Sequence, residues 1–399
     1  MKILIAHNSY QHRGGEDVVA HAEANLLKHH GHQVTMYQRS NDELRDTSKV
    51  TAAANSIWSQ QTVRDIVALC DSFQPDVIHC HNTFPLISPS LYWQASREKI
   101  PVIQTLHNFR LLCPQAMLLR EQKTCEQCVG KIPWRAVAHK CYRDSALQST
   151  VATAMLGVHR LIGSYRNKVS RYIVLSEFSR EKFIAGGLPE DRIQIKPNFV
   201  LPNRIPKWID RRGGVFIGRL SAEKGLDILI EAAKSLRAVH SLCSANPLIK
   251  IIGAGPLETP VKQVFEDAYL GFRPASEVTE LLHSALFLIA PSTCYETFGL
   301  VAVEAFSCGV PVIASRHGGL GELINDGVTG LLFTPGDAVD LAKKISWAHT
   351  HPERMLEMGR AAYAEYLDKY TPEKNYRMLI DIYQQAMPTI SGVGHAAQI

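Results

Sequence analysis

The sequence lacks the features that mark an exported or membrane-spanning chain. The run Lys2–Ala6 already reads as a strand, with no charged start, apolar stretch or cleavage site before it. No apolar run reaches the roughly 18 residues needed to cross a bilayer. Aromatic residues are few, at 8%, and charged residues make up only 20% of the 399 positions. The sequence therefore predicts a cytoplasmic globular protein that is long enough for two buried cores.

An Asp-x-Asp motif, which would hold a divalent ion against a diphosphate, is also missing from the sequence. The pairs Asp71 with Asp76 and Asp337 with Asp340 are not spaced for such an ion. Nine cysteines without an export signal favour thiols or metal ligands over a disulfide framework. The absence of the Asp-x-Asp motif argues against a divalent ion that bridges phosphates.

The net charge of +5 is small, but it is unevenly distributed. Residues 1–198 carry 24 basic and 17 acidic side chains, whereas residues 199–399 carry 19 and 21. The excess in the first half fits an anionic partner, either an inner-leaflet membrane surface or an acidic acceptor. A solvated surface without a partner explains the same counts, and no nucleic acid is expected to bind.

Apolar β-rich segments alternate with helical patterns along the whole chain, which predicts parallel sheets covered by helices. The proline-rich segment 196–206 resists helix and central strand alike, and it reads as a linker between two halves. We expect an α/β protein with two doubly wound, Rossmann-like domains facing a central cleft. The predicted strands are Ile3–Ala6, Gln33–Tyr37, Val77–Cys80, Val102–Leu106, Tyr172–Leu175, Gly214–Ile217, Ile249–Ile252, Leu286–Ala290, Val310–Ala314 and Gly330–Phe333.

The most informative segment runs from Glu296 to Glu304, where two carboxylates flank a predicted helix start at Phe298 and Gly299. Free backbone N–H groups and the positive end of the helix dipole favour an anion at such a start. Carboxylates accept hydrogen bonds from sugar hydroxyls. The segment therefore predicts a site for a phosphate that lies beside a polyol.

Two glycine-bearing loops follow predicted strands. The loop after the first strand contains Gly14 and Gly15, which permit either a plain turn or a close backbone approach to a diphosphate. The loop after Gly214–Ile217 contains Arg219 and Lys224, two cations that either clamp a diphosphate or remain solvated.

Together these motifs resemble the large E-x₇-E family of retaining glycosyltransferases with the GT-B fold (family 4, glycosyl transferases group 1). The resemblance spans most of the chain, and its most specific part is Glu296 to Glu304 followed by the glycines at 309, 318 and 319. The other matching segments are Gly14–Glu16, Thr105–Asn108, Val174–Ser179, Ile195–Asn198, Gly218–Gly225 and Ile252–Pro256, and the match around the two glutamates runs from Pro291 through Glu304.

The resemblance implies an acceptor-side domain over residues 1–198 and a nucleotide-sugar domain over residues 199–371. A helix at 372–387 would cross back to the first domain, and residues 388–399 would form a loose tail. Between Gly255 and Gly271 the spacing is shorter than the family's, which predicts one helix over 256–270 and leaves the nucleobase contact open.

The resemblance also implies roles for individual residues. Glu296 would contact the transferred sugar and Glu304 the ribose, while Arg219 and Lys224 would hold the diphosphate. His107, which ends an apolar strand, would contact the transferred sugar. The remaining residues of the implied donor site are Gly14, Gly15, Asn198, Gly218, Gly255, Thr297, Phe298, Gly299 and Leu300.

The implied reaction moves a hexose, with retention and without a cofactor, from a UDP- or GDP-sugar to a saccharide or lipid-linked saccharide. Such enzymes act in surface polysaccharide, lipopolysaccharide or glycolipid synthesis. Two alternatives are an epimerase of the same fold, which needs more acid and base groups, and a phosphorylase-like enzyme, which needs a lysine-bound pyridoxal. A catalytically idle sugar-nucleotide-binding or scaffold protein is the third.

Four cysteines stand in a C-x₁₁-C-x₂-C-x₁₂-C arrangement inside a polar insertion at about 112–144. Cys113, Cys125, Cys128 and Cys141 either bind a structural Zn²⁺ or remain reduced packing thiols, with a redox or disulfide role as a third reading. The following segment, Ala146–Lys168, has helical spacing and a basic end. It faces either a membrane or acceptor, or the protein's own core.

Overall fold

Two parallel sheets of six strands each, with helices between successive strands, form the protein. The computed structural model describes residues 1–11, 14–202, 204–239 and 248–387. The strands are Lys2–Ser9 (β1), Gln33–Ser40 (β2), Val77–Asn82 (β3), Val102–Thr105 (β4), Leu119–Arg120 (β5), Lys123–Thr124 (β6), Arg171–Val174 (β7), Ile193–Ile195 (β8), Gly214–Ile217 (β9), Ile249–Ile252 (β10), Tyr269–Gly271 (β11), Phe287–Ala290 (β12), Val312–Ser315 (β13) and Gly330–Phe333 (β14).

Sixteen α-helices connect and cover these strands in the described ranges. They are Gly15–His29 (α1), Lys49–Ile57 (α2), Gln60–Phe73 (α3), Ser90–Arg97 (α4), Arg135–Ala138 (α5), Ala146–Leu161 (α6), Ser164–Asn167 (α7), Glu177–Ala185 (α8), Leu226–Val239 (α9), Glu258–Phe265 (α10), Ala275–Ser284 (α11), Leu300–Ser307 (α12), Gly318–Leu323 (α13), Ala338–Thr350 (α14), Pro352–Lys369 (α15) and Pro372–Ala386 (α16).

The first sheet has the strand order β2-β1-β3-β4-β7-β8, and the second has the order β11-β10-β9-β12-β13-β14. Both orders reverse direction next to the first strand of the series, as doubly wound sheets do. In the second sheet, β9 lies between β10 and β12, so the loops after β9 and β12 leave the same edge of the sheet. The predicted α/β class with two parallel sheets is confirmed.

Alternate residues of the second sheet enter two different apolar cores. Phe216 and Phe287 pack into one core with α9 and α14, whereas Val215 and Leu288 pack into the other with α12. Because successive side chains of a strand point to opposite faces, a strand that is apolar at every position must be covered on both sides. This double burial is why the strands could be recognised as continuous apolar runs.

The chain divides into two compact units, and each is described separately. One unit contains residues 1–105, 159–173 and the chain from Tyr376 onward, and the other contains residues 106–158 and 174–375. In the first unit, Leu379, Ile382 and Tyr383 of α16 pack against Ile3 and Ile5 of β1. The predicted tail at 388–399 lies outside the described residues.

Three sequence expectations need correction. The segment 256–270 is not one helix, because α10 ends at Phe265 and the chain then enters the short edge strand β11. The segment 146–168 is not continuous either, since Gly163 adopts φ 73° between α6 and α7. The helix predicted to open at Phe298 and Gly299 begins one residue later, at Leu300. Among the described helices, none combines the length and the apolar character needed to cross a membrane.

Candidate functional site

The candidate site lies where the loops after β9 and β12 meet. Lys224 Nζ is 2.6 Å from Glu296 Oε1, and Ser292 donates its hydroxyl hydrogen to the same oxygen across 2.8 Å. Residues 224 and 296 belong to different loops, which come together because β9 and β12 are neighbours. The side chains of Lys224 and Glu296 are 35% and 20% exposed, so the pair remains open to a ligand.

The charges of this pair support each other. Burial alone would lower the pKa of Lys224, but Glu296 and the neighbouring Cys294 and Glu223 raise it above the usual value. Burial would likewise raise the pKa of Glu296, but Lys224, Ser292 and His317 hold it below the usual value. Both groups are therefore ionised at neutral pH, and Glu296 is a hydrogen-bond acceptor rather than a proton donor.

Close backbone packing fixes the two loops against each other. Gly225 has φ 73°, and a Cβ at this position would lie 1.9 Å from the carbonyl oxygen of Pro291. The N–H of Thr293 donates to the carbonyl oxygen of Glu223 across 3.0 Å. Only glycine combines this left-handed conformation with so close an approach. The position of Lys224 is thus set by its neighbour in the chain.

A pair of glycines, Gly318 and Gly319, supports the loop that carries Glu296. The N–H of Gly319 donates to the carbonyl oxygen of Glu296 across 2.7 Å. A Cβ on Gly319 would lie 2.5 Å from the carbonyl oxygen of Thr297. The glycine-rich start of α13 therefore supports the backbone of Glu296 and Thr297 directly, which explains the occurrence of Gly318-Gly319 in the sequence.

Helix α12 begins immediately after this loop. Gly299, with φ 105°, precedes the first helical residue, and a Cβ there would lie 2.7 Å from Leu320 Cδ1. The first-turn N–H groups of a helix have no partner within the helix, so this end favours an anion. Burial raises the pKa of Glu304, in the second turn of α12, to about 7. A carboxyl group that is partly protonated near neutral pH both donates and accepts hydrogen bonds, which suits a diol.

His107 is joined to this loop through its backbone. Thr297 donates its hydroxyl hydrogen to the carbonyl oxygen of His107 across 2.7 Å. The carbonyl oxygen of Thr297 in turn accepts hydrogen bonds from the hydroxyls of Ser176 and Ser179. The structure therefore places the predicted sugar-contacting histidine beside the segment that contains both glutamates.

The other predicted donor residues occupy different settings. The side chain of Arg219 is exposed at the end of β9, five positions before Lys224. The N–H of Gly218 donates to the carbonyl oxygen of Ile252. A Cβ on Gly255 would lie 2.5 Å from the carbonyl oxygen of Leu220. Asn198 is buried, and its Oδ1 has no hydrogen-bond partner within the described part of the chain. Its role in donor binding stays a prediction.

Gly14 and Gly15 belong to the first unit, at the start of α1. The N–H of Gly14 donates to Asp17 Oδ2 across 2.7 Å, and Asp17 Oδ1 lies 2.8 Å from His7 Nε2. Although burial acts in the other direction, the hydrogen bonds from His7, Gly14 and Tyr10 lower the pKa of Asp17. A carboxylate of the protein, Asp17, thus already occupies the N-terminus of α1. The role of the two glycines in diphosphate binding stays a prediction.

Sequence reasoning missed two groups of residues. His317 donates from Nε2 to the carbonyl oxygen of Ser292 across 2.9 Å, beside the Lys224–Glu296 pair. Burial lowers the pKa of His317 despite the opposing effects of Ser292 and Glu296. In the first unit, Glu23, His79 and His81 are buried with ligand atoms within 4.8 Å of one another. The alternation of two histidines along the apolar β3 was the available signal for the second group.

Taken together, the second unit presents a cation, a carboxylate and a helix start on two adjoining loops. A phosphate fits the cation and the helix N-terminus, and hydroxyl groups fit Glu296 and Glu304. Such an arrangement can stabilise negative charge on a departing phosphate while it holds a polyol beside it.

Comparison with known proteins agrees with this arrangement. The sequence model described as Glycosyl transferases group 1 matches residues 210–365, and the one described as Glycosyltransferase Family 4 matches residues 13–204. An uncharacterized glycosyltransferase of Methanocaldococcus jannaschii is 33% identical over 44% of this chain and 49% of its own length. A D-inositol 3-phosphate glycosyltransferase of Mycolicibacterium vanbaalenii is 28% identical over 72% of this chain and 67% of its own. The chain thus spans about half the length of the first relative and about two thirds of the length of the second.

Solved structures share the fold. The Anabaena protein HepE in complex with UDP superposes with a TM-score of 0.67 at 19% identity, covering 96% of this chain and 100% of that one. Sucrose-phosphate synthase of Thermosynechococcus elongatus gives a TM-score of 0.67 at 18% identity, with 96% and 98% covered. At such identities the likeness concerns the fold alone.

Proposed function

Because the chain belongs to the group 1 glycosyltransferases, we propose that it transfers a hexose from a nucleotide diphosphate-sugar with retention of configuration. The observation that carries the proposal is the Lys224–Glu296 ion pair of 2.6 Å, set between adjoining strand ends beside the start of α12. A diphosphate and a sugar are the two chemical groups that such a pair recognises at once.

The donor binds mainly in the second unit. Lys224 and the exposed Arg219 contact the diphosphate, and the first-turn N–H groups of α12 complete its site. Glu296 accepts hydrogen bonds from the hexose, and Glu304 contacts the ribose. The donor is a UDP- or GDP-sugar. HepE has been crystallised with UDP and with UDP-glucose, which supports the uridine nucleotide first.

The acceptor attacks the same face of the sugar from which the diphosphate leaves. The departing phosphate oxygen takes the acceptor's proton, so no separate base is required. Arg219, Lys224 and the N-terminus of α12 stabilise the charge that develops on that oxygen, and no catalytic metal ion takes part. Glu296 binds the donor and does not attack it, because the hydrogen bonds from Lys224 and Ser292 stabilise its negative charge and make it a poor nucleophile.

The acceptor is a saccharide or a lipid-linked saccharide, used for surface polysaccharide or glycolipid synthesis. Helix α6 supports contact with the inner leaflet, because its apolar residues Leu147 and Leu161 are 66% and 88% exposed. Two basic residues, Arg160 and Arg166, lie within five positions of Leu161 in the sequence. Exchange of both leucines for glutamine should abolish sedimentation with anionic vesicles, whereas Leu201→Gln, at an equally exposed site, should not.

A nucleotide panel tests the donor proposal. At a hundredfold excess over the dissociation constant, a bound nucleotide diphosphate adds about 2.7 kcal/mol to the stability of the protein. UDP or GDP should therefore raise the melting temperature of the wild type, and Glu296→Ala should weaken the effect of the UDP-sugar far more than that of UDP. If the variant lost the same rise in melting temperature with UDP as with the UDP-sugar, Glu296 would not contact the sugar.

The stereochemistry needs its own experiment. NMR of the product formed from an α-linked donor should show an α-linked hexose, and EDTA should leave the initial rate unchanged. A β-linked product would overturn retention. Binding of every donor without transfer or release of nucleotide would favour the catalytically idle binding protein instead.

A further inference from the structure

Two histidines and a glutamate lie together against one face of the first sheet, in an otherwise apolar setting. His79 and His81 are alternate residues of β3, so their side chains leave the same face of the strand. Val77, two positions earlier, shares that face and packs with Ala24 of α1 in an apolar core. The side chain of Glu23, also on α1, is wholly buried next to the two imidazoles. Polar side chains are costly in such a core unless a specific partner compensates them.

The separations between these side chains are too long for direct hydrogen bonds. Glu23 Oε2 is 3.5 Å from His81 Nε2 and 3.7 Å from His79 Nδ1. Nitrogen and oxygen atoms that share a hydrogen are about 2.7–3.2 Å apart, and the buried His7–Asp17 pair of the same unit shows this at 2.8 Å. Ligand atoms around a tetrahedral Zn²⁺, with bonds of about 2.0–2.2 Å, are about 3.4 Å apart. The cluster, whose three ligand atoms lie within 4.8 Å of one another, therefore has the spacing of a metal site.

Neighbouring hydroxyl groups orient His79 for such a role. Its Nε2 is 2.7 Å from the hydroxyl of Thr105, and its Nδ1 is 2.7 Å from the hydroxyl of Tyr383. When Nε2 carries the hydrogen and donates it to Thr105, the lone pair lies on Nδ1, the ring nitrogen nearer Glu23. Tyr383 then donates to that lone pair. A metal ion on Nδ1 would displace this hydrogen and have the phenol oxygen beside it.

The charges of the cluster also favour a divalent cation. The side chains of Glu23, His79 and His81 are 0% exposed, and a carboxylate buried to this extent needs a positive charge to compensate it. The two imidazole rings have centres 4.4 Å apart, so protonation of both would place like charges side by side. A proton on one imidazole would balance the carboxylate, but it would draw that ring into a short hydrogen bond with Glu23. An ion of charge +2 compensates the carboxylate while both imidazoles stay neutral, the form in which histidine binds metals.

We propose that Glu23, His79 and His81 bind one structural Zn²⁺ that joins α1 to β3. Imidazole nitrogens and carboxylate oxygens are ligands that zinc takes in proteins. Because all three side chains are closed to solvent, no substrate reaches the ion, and the ion enters while the chain folds. The ion stabilises the first unit and takes no part in the proposed transfer reaction.

The zinc content of the full-length protein tests the site. The protein is purified without a metal-affinity tag and refolded with Zn²⁺ under reducing conditions, because a closed site exchanges its ion slowly. Glu23→Gln and His81→Gln should each hold about one zinc per chain fewer than the wild type. The control, His159→Gln, also removes a fully buried imidazole, which bonds to Ser164 and Ile57, and should hold as much zinc as the wild type. Equal zinc content in the wild type and both cluster variants, including none in any of them, would overturn the proposal.

X-ray absorption at the zinc edge needs only the wild type, so it applies even if the variants fail to fold. The spectrum should show nitrogen or oxygen ligands at about 2.0–2.1 Å together with the outer-shell scattering of imidazole. Zinc held instead by the four cysteines of the 112–144 insertion would give sulfur at about 2.3 Å without imidazole. Sulfur alone would overturn the proposal. Imidazole together with sulfur would support it and would add a second ion at the cysteines.

Discussion

The hydroxyl of Thr297 donates to the carbonyl oxygen of His107 across 2.7 Å and joins residues that are 190 positions apart in the chain. The carbonyl oxygen of Thr297 is itself held by Ser176 and Ser179. The loop that presents Glu296 is therefore fastened to the predicted sugar-contacting histidine on one side and to α8 on the other. A small displacement of this loop should change both parts of the site together.

Replacement of Thr297 by valine tests that relationship. The variant keeps the size and branching of the side chain but removes the hydroxyl that donates to the carbonyl oxygen of His107. We expect a loss of about 1–2 kcal/mol in the free energy of unfolding, together with a lower kcat. Thr279→Val is the matched control, because that hydroxyl donates to the carbonyl oxygen of Ala275 in its own helix, at an exposed position. If the two variants lost the same free energy of unfolding and the same kcat, the bond from Thr297 to His107 would not matter for the site.

Loss of the ion pair should separate stability from activity. Lys224→Met leaves the charge of Glu296 without its main partner, and we expect kcat/KM to fall by roughly 100-fold or more. Stability should fall by about 1–3 kcal/mol, because the partly buried carboxylate is no longer compensated. The double variant Lys224→Met with Glu296→Gln should recover the stability but not the activity.

The control for this experiment is Lys262→Met. Lys262 pairs with Glu258 across 2.7 Å, a distance similar to that in the site, but on an exposed helix surface. Exposed pairs contribute little to stability. A comparable loss of activity in both lysine variants would mean that the effect of Lys224 is not specific to the donor.

Gly225→Ala should be severe. The added Cβ would lie 1.9 Å from the carbonyl oxygen of Pro291 in a backbone with φ 73°, so the two loops must move apart. We expect chemical unfolding to show a loss of about 3 kcal/mol or more. Gly336→Ala shares the left-handed conformation, with φ 80° and no atom within 4 Å, and should lose only about 1 kcal/mol. If the variants are equally stable, the close approach is not what requires glycine at position 225.

Glu304 should make stability depend on pH. Its pKa is raised from 4.5 to about 7 in the folded protein. Between these values the unfolded chain releases a proton that the folded protein keeps, so the wild type loses stability as the pH rises. Glu304→Gln cannot ionise and should melt a few degrees higher than the wild type at pH 8, with no such gain at pH 4.5.

Glu258→Gln is the control, because the pKa of Glu258 is shifted in the opposite direction to that of Glu304. Its hydrogen bond with Lys262 lowers the pKa of Glu258, so this variant should gain nothing at pH 8. Melting curves across the pH range would decide the matter. A gain for Glu304→Gln that is the same at both pH values would show that the carboxyl group is not the cause.

Much of the fold was predictable because its central strands are buried on both faces. Runs such as 287–290 and 330–333 are apolar at each position, and a short continuous apolar run favours a buried strand over an amphipathic helix. The two strands of the six-stranded sheets that the prediction missed, Ile193–Ile195 and Tyr269–Gly271, have three residues each and lie at sheet edges. Edge strands are covered less, so their sequences carry weaker apolar signals.

The site was less predictable than the fold. The importance of the 296–304 segment followed from local chemistry, since carboxylates around a helix start have a physical meaning at any position. The contact between Lys224 and Glu296 depends on the order of β9 and β12 in the sheet, which no local pattern states. The same is true of His317, which reaches Ser292 only because β13 lies next to β12.

The pairing of Lys224 with Glu296 has a consequence for selectivity. An ammonium group that already has a counterion attracts abundant small anions weakly, and a carboxylate that already has a cation rejects most neutral polyols. A molecule that offers phosphate and hydroxyl groups together exchanges both partners in one step and leaves neither charge stranded. We therefore expect the pair to favour a ligand that carries a phosphate and a sugar together. Inorganic phosphate or free glucose replaces only one of the two partners and should bind more weakly.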